Sequence, residues 1–521
     1  MRFRVVKTIT AFLIILNFIS VFFIWKFFAL HGKSSKSDTK LPDLENKIKS
    51  FVPASKSPEH INRVQSEITF VMRSFEPFDH DIIESVYSLL NIYPRVNILI
   101  ITDTPFYPPI ILNKTNASTV KFVSTKPNLT GSLKDRTPIL HIETRYTLFI
   151  PDSTRLNNKK IAEKLIDISL KNDTILAIPY KSKELKCLKI HLDIREWFIR
   201  FDSSQLTKEC DFVKGKHALF LESKLLYRVT DPFMLPFPDS LFIQLSSMSV
   251  KVIIADELQM SSGKKLLKSH HNQWKAQQAD KDRQKSMFHN LELKKVVREN
   301  GVIEWYGCKR DTPRCFGSIV DETPQYLWEG KWTPPCCLAG LRRTARHVFE
   351  QLEEAGVRYW LEGGSLLGAM RAGDILPWDY DVDIGIYKED ITKCTWLLRA
   401  GIKPITDQQG FVWEKAIEGD FYRVQFSQVN RLHVDIFPFY SRNGTMTKDT
   451  WFKTHRQDME FPEHYLKPLS TIEFVGRPVS APNNIHDFLE LKFGEGAIEH
   501  PEYPNPRKME IHGMSRGPVK S

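Results

Sequence analysis

Three aspartates in WDYDVDIGIY, Asp379, Asp381 and Asp383, recur at every second residue. On a strand that spacing projects all three carboxylates from one face. Carboxylates so placed repel one another, by about 1 kcal/mol per pair at 4 Å even in water, and a divalent cation removes that cost. A ligand set made only of oxygens suits Mg²⁺ or Mn²⁺ better than zinc. The alternative, an exposed acidic strand edge, sits poorly with Tyr380, Val382, Ile384 and Ile386, which make the opposite face apolar. A fourth carboxylate, Asp435, lies between Val434 and Ile436 in RLHVDIFPFY. Upstream, VRYWLEGGSLLGAM reads as a strand, a tight turn at Gly363, Gly364 and Ser365, and the start of a helix. Glycines at such a turn let backbone N–H groups approach an anion closely, and the helix dipole adds attraction. A Gly-Gly turn, an Asp-x-Asp strand and one Asp on a later strand are the parts from which a nucleotidyltransferase fold builds a metal cage.

The elements that must hold these residues can be read outward from them. Leu338, Leu341, Ala345, Val348, Leu352 and Ala355 recur at helical spacing, with Gly356 placed as a cap. Residues 260–300 are charged and nearly free of Gly and Pro, which predicts a solvated helical connector. Before it, ITFVMR, VNILIIT, TVKFVS, RYTLFI, TILAIPY and HALFLE alternate with helical or loop stretches, the pattern of an α/β sheet domain. RYTLFIPDSTR resembles the strand end where a glycosyltransferase carries an Asp-x-Asp clamp. Only Asp152 is present, so a non-catalytic, glycosyltransferase-like stem is expected.

The chain has 521 residues, 42% hydrophobic and 26% charged, which excludes wholesale disorder and fibrous repeats. Its 73 Lys and Arg against 62 Asp and Glu give a net charge of +11, dispersed rather than striped. With no nucleic-acid-binding motif, nucleic acid is not an expected partner. Residues 8–30 form an apolar run long enough to cross a bilayer, preceded by Arg2, Arg4 and Lys7. Its bulky residues argue for a signal-anchor over a cleaved signal peptide. The expected organisation is a cytosolic tail (1–7), an anchor (8–30), a stalk (31–65), a luminal α/β stem (66–299) and a catalytic domain (300–521). Acceptor triplets for N-glycosylation at Asn113, Asn116, Asn128 and Asn172, and a further one at Asn443, suit a luminal chain. Cys187 and Cys210 lie in the stem, where they can pair. Cys308, Cys315, Cys336 and Cys337 form a set that two disulfides or one Cys₄ zinc site would use equally well.

The block LEGGSLLGAMRAGDILPWDYDVDIGIY resembles the LicD family of phosphoryl-alditol and phosphocholine transferases. EWYGCKRDTPRCFG, KWTPPCCL and APNNIHDFLELKFG extend the likeness along nearly the whole chain, towards a vertebrate member of that family. The resemblance implies a single-pass type II Golgi membrane enzyme with a luminal nucleotidyltransferase-fold domain. It implies transfer of ribitol 5-phosphate from CDP-ribitol to a phosphoribitol on the O-mannosyl glycan of α-dystroglycan. It further implies self-association through the stem, company with other Golgi transferases of the kind, and structural zinc in a loop spanning residues 308–337. In that frame Asp381, Asp383 and Asp435 would hold Mg²⁺ against the donor phosphates, and Gly363, Gly364 and Ser365 would bind phosphate. Arg371 would clamp a phosphate oxygen, or else be a surface arginine. Asp379 would be the base for the acceptor hydroxyl, a further metal ligand or an orienting group. Asn483 and Asn484 would read cytosine or ribose, or simply make a turn. Transfer of phosphocholine or glycerol phosphate needs the same cage, and a non-catalytic Golgi scaffold needs none of it.

Overall fold

The computed structural model describes residues 63–500 except 105, 107–108, 113–118, 127–128, 130, 157–159, 169–173, 182–183, 205–208, 315–316, 318, 321–322, 402 and 453–454. The expected tail, anchor and most of the stalk therefore lie outside the described residues, as do Asn113, Asn116, Asn128 and Asn172. No helix among the described residues is long and apolar enough to cross a membrane. Asn443 is described, and it sits exposed in a turn.

The first half is an eight-stranded mixed sheet. Its strands are β1 (Ile68–Met72), β2 (Asn97–Thr102), β3 (Val120–Ser124), β4 (Tyr146–Phe149), β5 (Thr174–Pro179), β6 (Glu209–Cys210), β7 (His217–Glu222) and β8 (Lys251–Ile254). They run in the order β3-β2-β1-β4-β7-β5-β8-β6. Strands β1 to β4 are mutually parallel where they pair, and β7 runs antiparallel between β4 and β5. Every residue of β1 is buried, as is every residue of β4. Continuous apolar runs of this kind are what a sheet covered on both faces requires, and separate apolar clusters cover its two sides. Cys187 and Cys210 are joined by a disulfide. The charged connector forms helix α1 (His270–Asn290), capped by the Ser269 hydroxyl accepting from Asn272 N–H.

The second half opens with α2 (Pro335–Glu354), whose buried stripe includes Leu341, Ala345, Val348 and Leu352. Gly356 follows it with a positive φ of 66°, the conformation that stops a helix without steric cost. Strand β9 (Tyr359–Leu361) leads into helix α3 (Gly363–Ala372). Strands β10 (Val382–Tyr387), β11 (Ile405–Thr406), β12 (Val412–Lys415), β13 (Tyr422–Gln425) and β14 (His433–Arg442) join β9 along the main path of an eight-stranded sheet, ordered β9-β10-β14-β13-β12-β11. Helix α4 (Ile485–Phe493) packs against α3. Trp197, from the stem, is buried in the apolar core of this second half.

Candidate active site

The parallel pairing of β10 with β14 places Asp383 directly beside Asp435. On the other side of β14, the antiparallel pairing with β13 sets Arg423 opposite Asp435. Its guanidinium grips the Asp435 carboxylate with both arms, Nε at 2.8 Å and an Nη at 2.9 Å. That bidentate geometry is the strong form of the arginine–carboxylate pair. Asp383 and Asp435 therefore share one sheet face at one level, and a cation from the next strand holds one of them.

Asp379 and Asp381 are not on the strand. Strand β10 begins at Val382, so the every-second-residue spacing projects only Asp383 from the sheet, while its two partners occupy the preceding loop. The three nevertheless converge. Asp381 and Asp383 line a cavity of about 320 Å³, together with Asp435, Arg423, Lys448 and Gly363. Asp379 does not line it: its carboxylate accepts from Tyr380 N–H and is hydrogen bonded to Asp381. Burial first, and like charge second, holds all three of these carboxyls above the ordinary carboxylate range. The neighbours named are Asp383 for Asp379, Asp379 and Asp435 for Asp381, and Asp381 and Asp435 for Asp383.

Gly363, Gly364 and Ser365 are the first residues of α3 rather than a free turn. Gly363 has φ 51° and faces Asp383, and a Cβ at Gly364 would fall 2.8 Å from Asp379 Oδ2. Gly363 is thus favoured by its positive φ, a Cβ there standing 3.6 Å from Asp383 Oδ2, and Gly364 by the close approach of Asp379. The Ser365 hydroxyl is buried and accepts from Asp383 N–H at 2.9 Å, so it fixes the strand start instead of reaching for phosphate. Two expected ligands lie elsewhere. Arg371, at the last turn of α3, donates to the carbonyls of Ala497 and His500 and ties down the following chain. Asn483 donates from its side chain to His464 O, and Asn484 caps α4. Both side chains make structural contacts here, and neither Arg371 nor Asn483 lines the cavity that holds Asp381, Asp383 and Asp435.

Several residues of the cavity escaped the sequence reading. Arg423 carried a signal, a lone arginine in the apolar run FYRVQF. Lys448 carried none: it is buried, pairs with Asp458 at 2.7 Å, and lies over the Phe437 ring at 4.0 Å. Its charge partly offsets that of Asp383. Glu362, which caps α3, is buried against Lys492 at 3.2 Å and accepts from Trp360 Nε1. Only tertiary folding brings these positions together.

The comparisons with known proteins agree with this division. Residues 55–299 match the model described as "Fukutin-related protein stem domain", and residues 356–484 match "LicD/FKTN/FKRP, nucleotidyltransferase domain". The chain is 42% identical over 462 residues to the mouse (Mus musculus) protein named "Ribitol 5-phosphate transferase FKRP", covering 88% of this chain and 93% of that one. The chain belongs to the fukutin-related protein family. The human (Homo sapiens) member is 41% identical over 461 residues, 88% of this chain and 92% of its own. Human "Ribitol-5-phosphate transferase FKTN" is 29% identical over 164 residues, 30% of this chain and 33% of its own. Within this fukutin-related chain the cysteine-rich loop differs from a closed Cys₄ site. Cys308 and Cys336 are joined by a disulfide, and the Cys337 sulfur lies 3.4 Å from that of Cys308. Cys315 lies outside the described residues. The three described sulfurs fall within 4.8 Å of one another, close enough to serve one tetrahedral ion if reduced. Cys394 is free and buried.

Proposed function

We propose that this chain transfers ribitol 5-phosphate from CDP-ribitol to a phosphoribitol on the O-mannosyl glycan of α-dystroglycan, making the second unit of a tandem pair. The observation that carries the reading is the side-by-side placement of Asp383 and Asp435, with Asp381, in a cavity backed by Arg423 and Lys448. The names of the 42%- and 41%-identical relatives supply the transferred group.

The donor set fits a hard divalent cation. It offers only carboxylate oxygens at the cavity wall, and burial and mutual repulsion already raise these carboxyls, the state a cation would relieve. Among the described residues these oxygens do not close into one compact group, which suits Mg²⁺ completed by substrate phosphate and water. When bound, such an ion supplies charge neutralisation on the diphosphate. Arg423 fixes Asp435, the Ser365 hydroxyl fixes the backbone at Asp383, and Lys448 adds positive charge. In the reaction the acceptor hydroxyl oxygen forms a bond to the ribitol-bearing phosphorus as the phosphoanhydride bond breaks and CMP departs. With a cation bound, both members of the Asp381–Asp379 pair would be ionised, so the hydroxyl proton can pass to the cavity-lining Asp381 and be shared with Asp379 behind the cavity wall.

The same reading makes the protein a single-pass type II Golgi enzyme that self-associates through its stem and works beside fukutin-like Golgi transferases. It assigns zinc to Cys308, Cys315, Cys336 and Cys337. The test is mass spectrometry of a phosphoribitol-bearing O-mannosyl glycopeptide after incubation with the luminal chain, CDP-ribitol and Mg²⁺, with CDP-choline and CDP-glycerol alongside. One added ribitol phosphate, lost on chelation and in Asp381→Asn, is expected. Addition from CDP-choline or CDP-glycerol alone would move the assignment to those groups, and full activity in Asp381→Asn would remove the metal site. Metal analysis with thiol counting tests the zinc: about one ion per chain is expected, with the four ligand cysteines and Cys394 all counted as thiols after denaturation and chelation.

A further inference from the structure

The floor of the catalytic cavity has two ends of different chemistry. Strand β14 sends His433, Asp435, Phe437 and Phe439 to the lining, every second residue and therefore one face of the sheet. Asp435, beside Asp383, marks the level of the carboxylate cage. Beyond it on one side the floor is aromatic: Phe437 and Phe439 are joined by Phe452, whose ring meets that of Phe437 at 6.2 Å. On the other side the floor is polar, and His433 forms it.

The tautomer of His433 can be read from its partner. Nδ1 lies 2.9 Å from Arg431 O. A carbonyl oxygen only accepts, so Nδ1 carries the hydrogen. Burial first, with Arg423 and Arg314 working against the pull of Asp435, holds the imidazole below its ordinary range. The neutral ring therefore presents Nε2 as a bare acceptor. Among the described residues no donor reaches it. Gln425, opposite His433 across the strand pair, gives its amide to Glu414. Asp435 Oδ2, at 3.9 Å, is itself an acceptor and is held by Arg423. A desolvated acceptor left without a donor costs about 1–3 kcal/mol, a cost that a hydroxyl reaching in from the cavity removes.

We infer that His433 is a specificity-determining residue whose Nε2 accepts a hydrogen bond from one hydroxyl of a substrate alditol. The inference rests on the proposed transfer and says which wall of the cavity reads the sugar alcohol. A site built to bond a hydroxyl rejects the analogue that lacks it, so phosphocholine, with no hydroxyl to give, gains nothing from this wall. Donor and acceptor of the proposed reaction both carry ribitol, and the shared chemistry is the alditol hydroxyl.

The test pairs one side chain with one hydroxyl. Transfer kinetics are measured with CDP-ribitol and a phosphoribitol glycopeptide, each intact or lacking one non-reacting ribitol hydroxyl in turn. The proteins are wild type, His433→Asn and His433→Gln. An asparagine amide keeps the bond to Arg431 O but does not reach the cavity, so this variant is expected to melt like wild type. A glutamine amide keeps an acceptor near the position of Nε2. With wild type, one deoxy analogue is expected to lose about tenfold in kcat/KM. His433→Asn is expected to lose about tenfold with intact substrates and nothing further with that analogue, and His433→Gln to recover part of the loss. A sensitive deoxy donor places the hydroxyl on the donor, and a sensitive deoxy acceptor places it on the acceptor. The rise in melting temperature on adding Mg²⁺ is expected to match wild type in both variants. No transfer from intact CDP-ribitol by wild type removes the proposed reaction and the inference with it. With that transfer present, three results overturn the inference alone: equal activity of wild type on every analogue, additive losses in His433→Asn, or a missing Mg²⁺ rise in that variant, which would make His433 a metal ligand.

Discussion

Replacing Arg423 by methionine tests how the catalytic carboxylates are held. Arg423 and Asp435 keep only 19% and 9% of their side-chain surface exposed, and the pair is bidentate. Removing the guanidinium leaves Asp435 buried, unpaired and beside Asp383. Breaking a buried pair costs about 3–5 kcal/mol, and residual exposure places this one near the lower end. A loss of about 3 kcal/mol corresponds to about 6–12 °C in melting temperature for a domain of this size. Arg423 also lies 3.3 Å from Glu418, so a single variant would mix two effects. A double-mutant cycle with Asp435→Asn separates them. Arg423→Met should cost far less once Asp435 is neutral, with a coupling of about 2–3 kcal/mol. Added Mg²⁺ should shrink the penalty of the single variant, because the cation replaces the lost positive charge. Thermal melts of the four proteins, with chelator and with Mg²⁺, read all of this. Equal destabilisation in both backgrounds would refute the claim that Arg423 acts by compensating Asp435.

Three further outcomes follow from the same geometry. Gly364→Ala puts a methyl group 2.8 Å from Asp379 Oδ2; it should cut kcat about tenfold or more with little change in donor KM or melting temperature, and unchanged kcat would show that the Asp379 position is slack. Gly385→Ala would set a Cβ 2.3 Å from the fully buried Trp360 ring, so a destabilisation of about 1–3 kcal/mol is expected by thermal melting, and a wild-type melt would be inconsistent with that packing. His217 is buried and its pKa is lowered to about 4. The folded stem therefore binds fewer protons than the unfolded chain, and stability falls as pH drops from about 6.5 towards 4, by about 2 kcal/mol between pH 7 and 5. His217→Phe should lose that slope, and an identical pH dependence in the variant would exclude His217 as its source.

The six stem strands, the two catalytic strands and helix α2 were legible because their apolar runs are continuous or periodic, which is a local property. The carboxylates were legible because like charges seldom crowd so closely without a purpose. Their placement was less so. Period-two spacing predicts a strand through Asp379, but Asp379 N–H instead closes a turn onto Leu376 O, and the strand starts three residues later. Arg371 and Asn483 sit near the right motifs in sequence, yet they lie off the carboxylate cavity and donate to Ala497, His500 and His464 carbonyls that no local pattern reveals. Lys448 and Lys492 reach the site only through the register of distant elements. Such pairings are set by folding as a whole, so residue type and spacing cannot disclose them.

The contact between the halves bears on why a stem without its own complete metal clamp would persist. Trp197 donates its indole N–H to Trp332 O at 2.8 Å, and Trp332 N–H donates to Arg195 O at 2.8 Å. The Arg195 guanidinium lies 4.1 Å over the Trp332 ring. From there the path continues into the catalytic half: the Trp332 and Trp378 rings meet at 5.4 Å, and Thr333 N–H donates to Pro377 O. Trp378 immediately precedes Asp379. The loop that carries Asp379 and Asp381 is therefore braced by a stem segment rather than by the catalytic sheet alone. Carboxylates in a loop need such bracing more than one on a strand, because no ladder of hydrogen bonds fixes them and a displacement of about 1 Å is enough to cost catalysis dearly. The stem thus has a positioning task, carried by the Arg195–Trp197 segment that shares a core with the catalytic half.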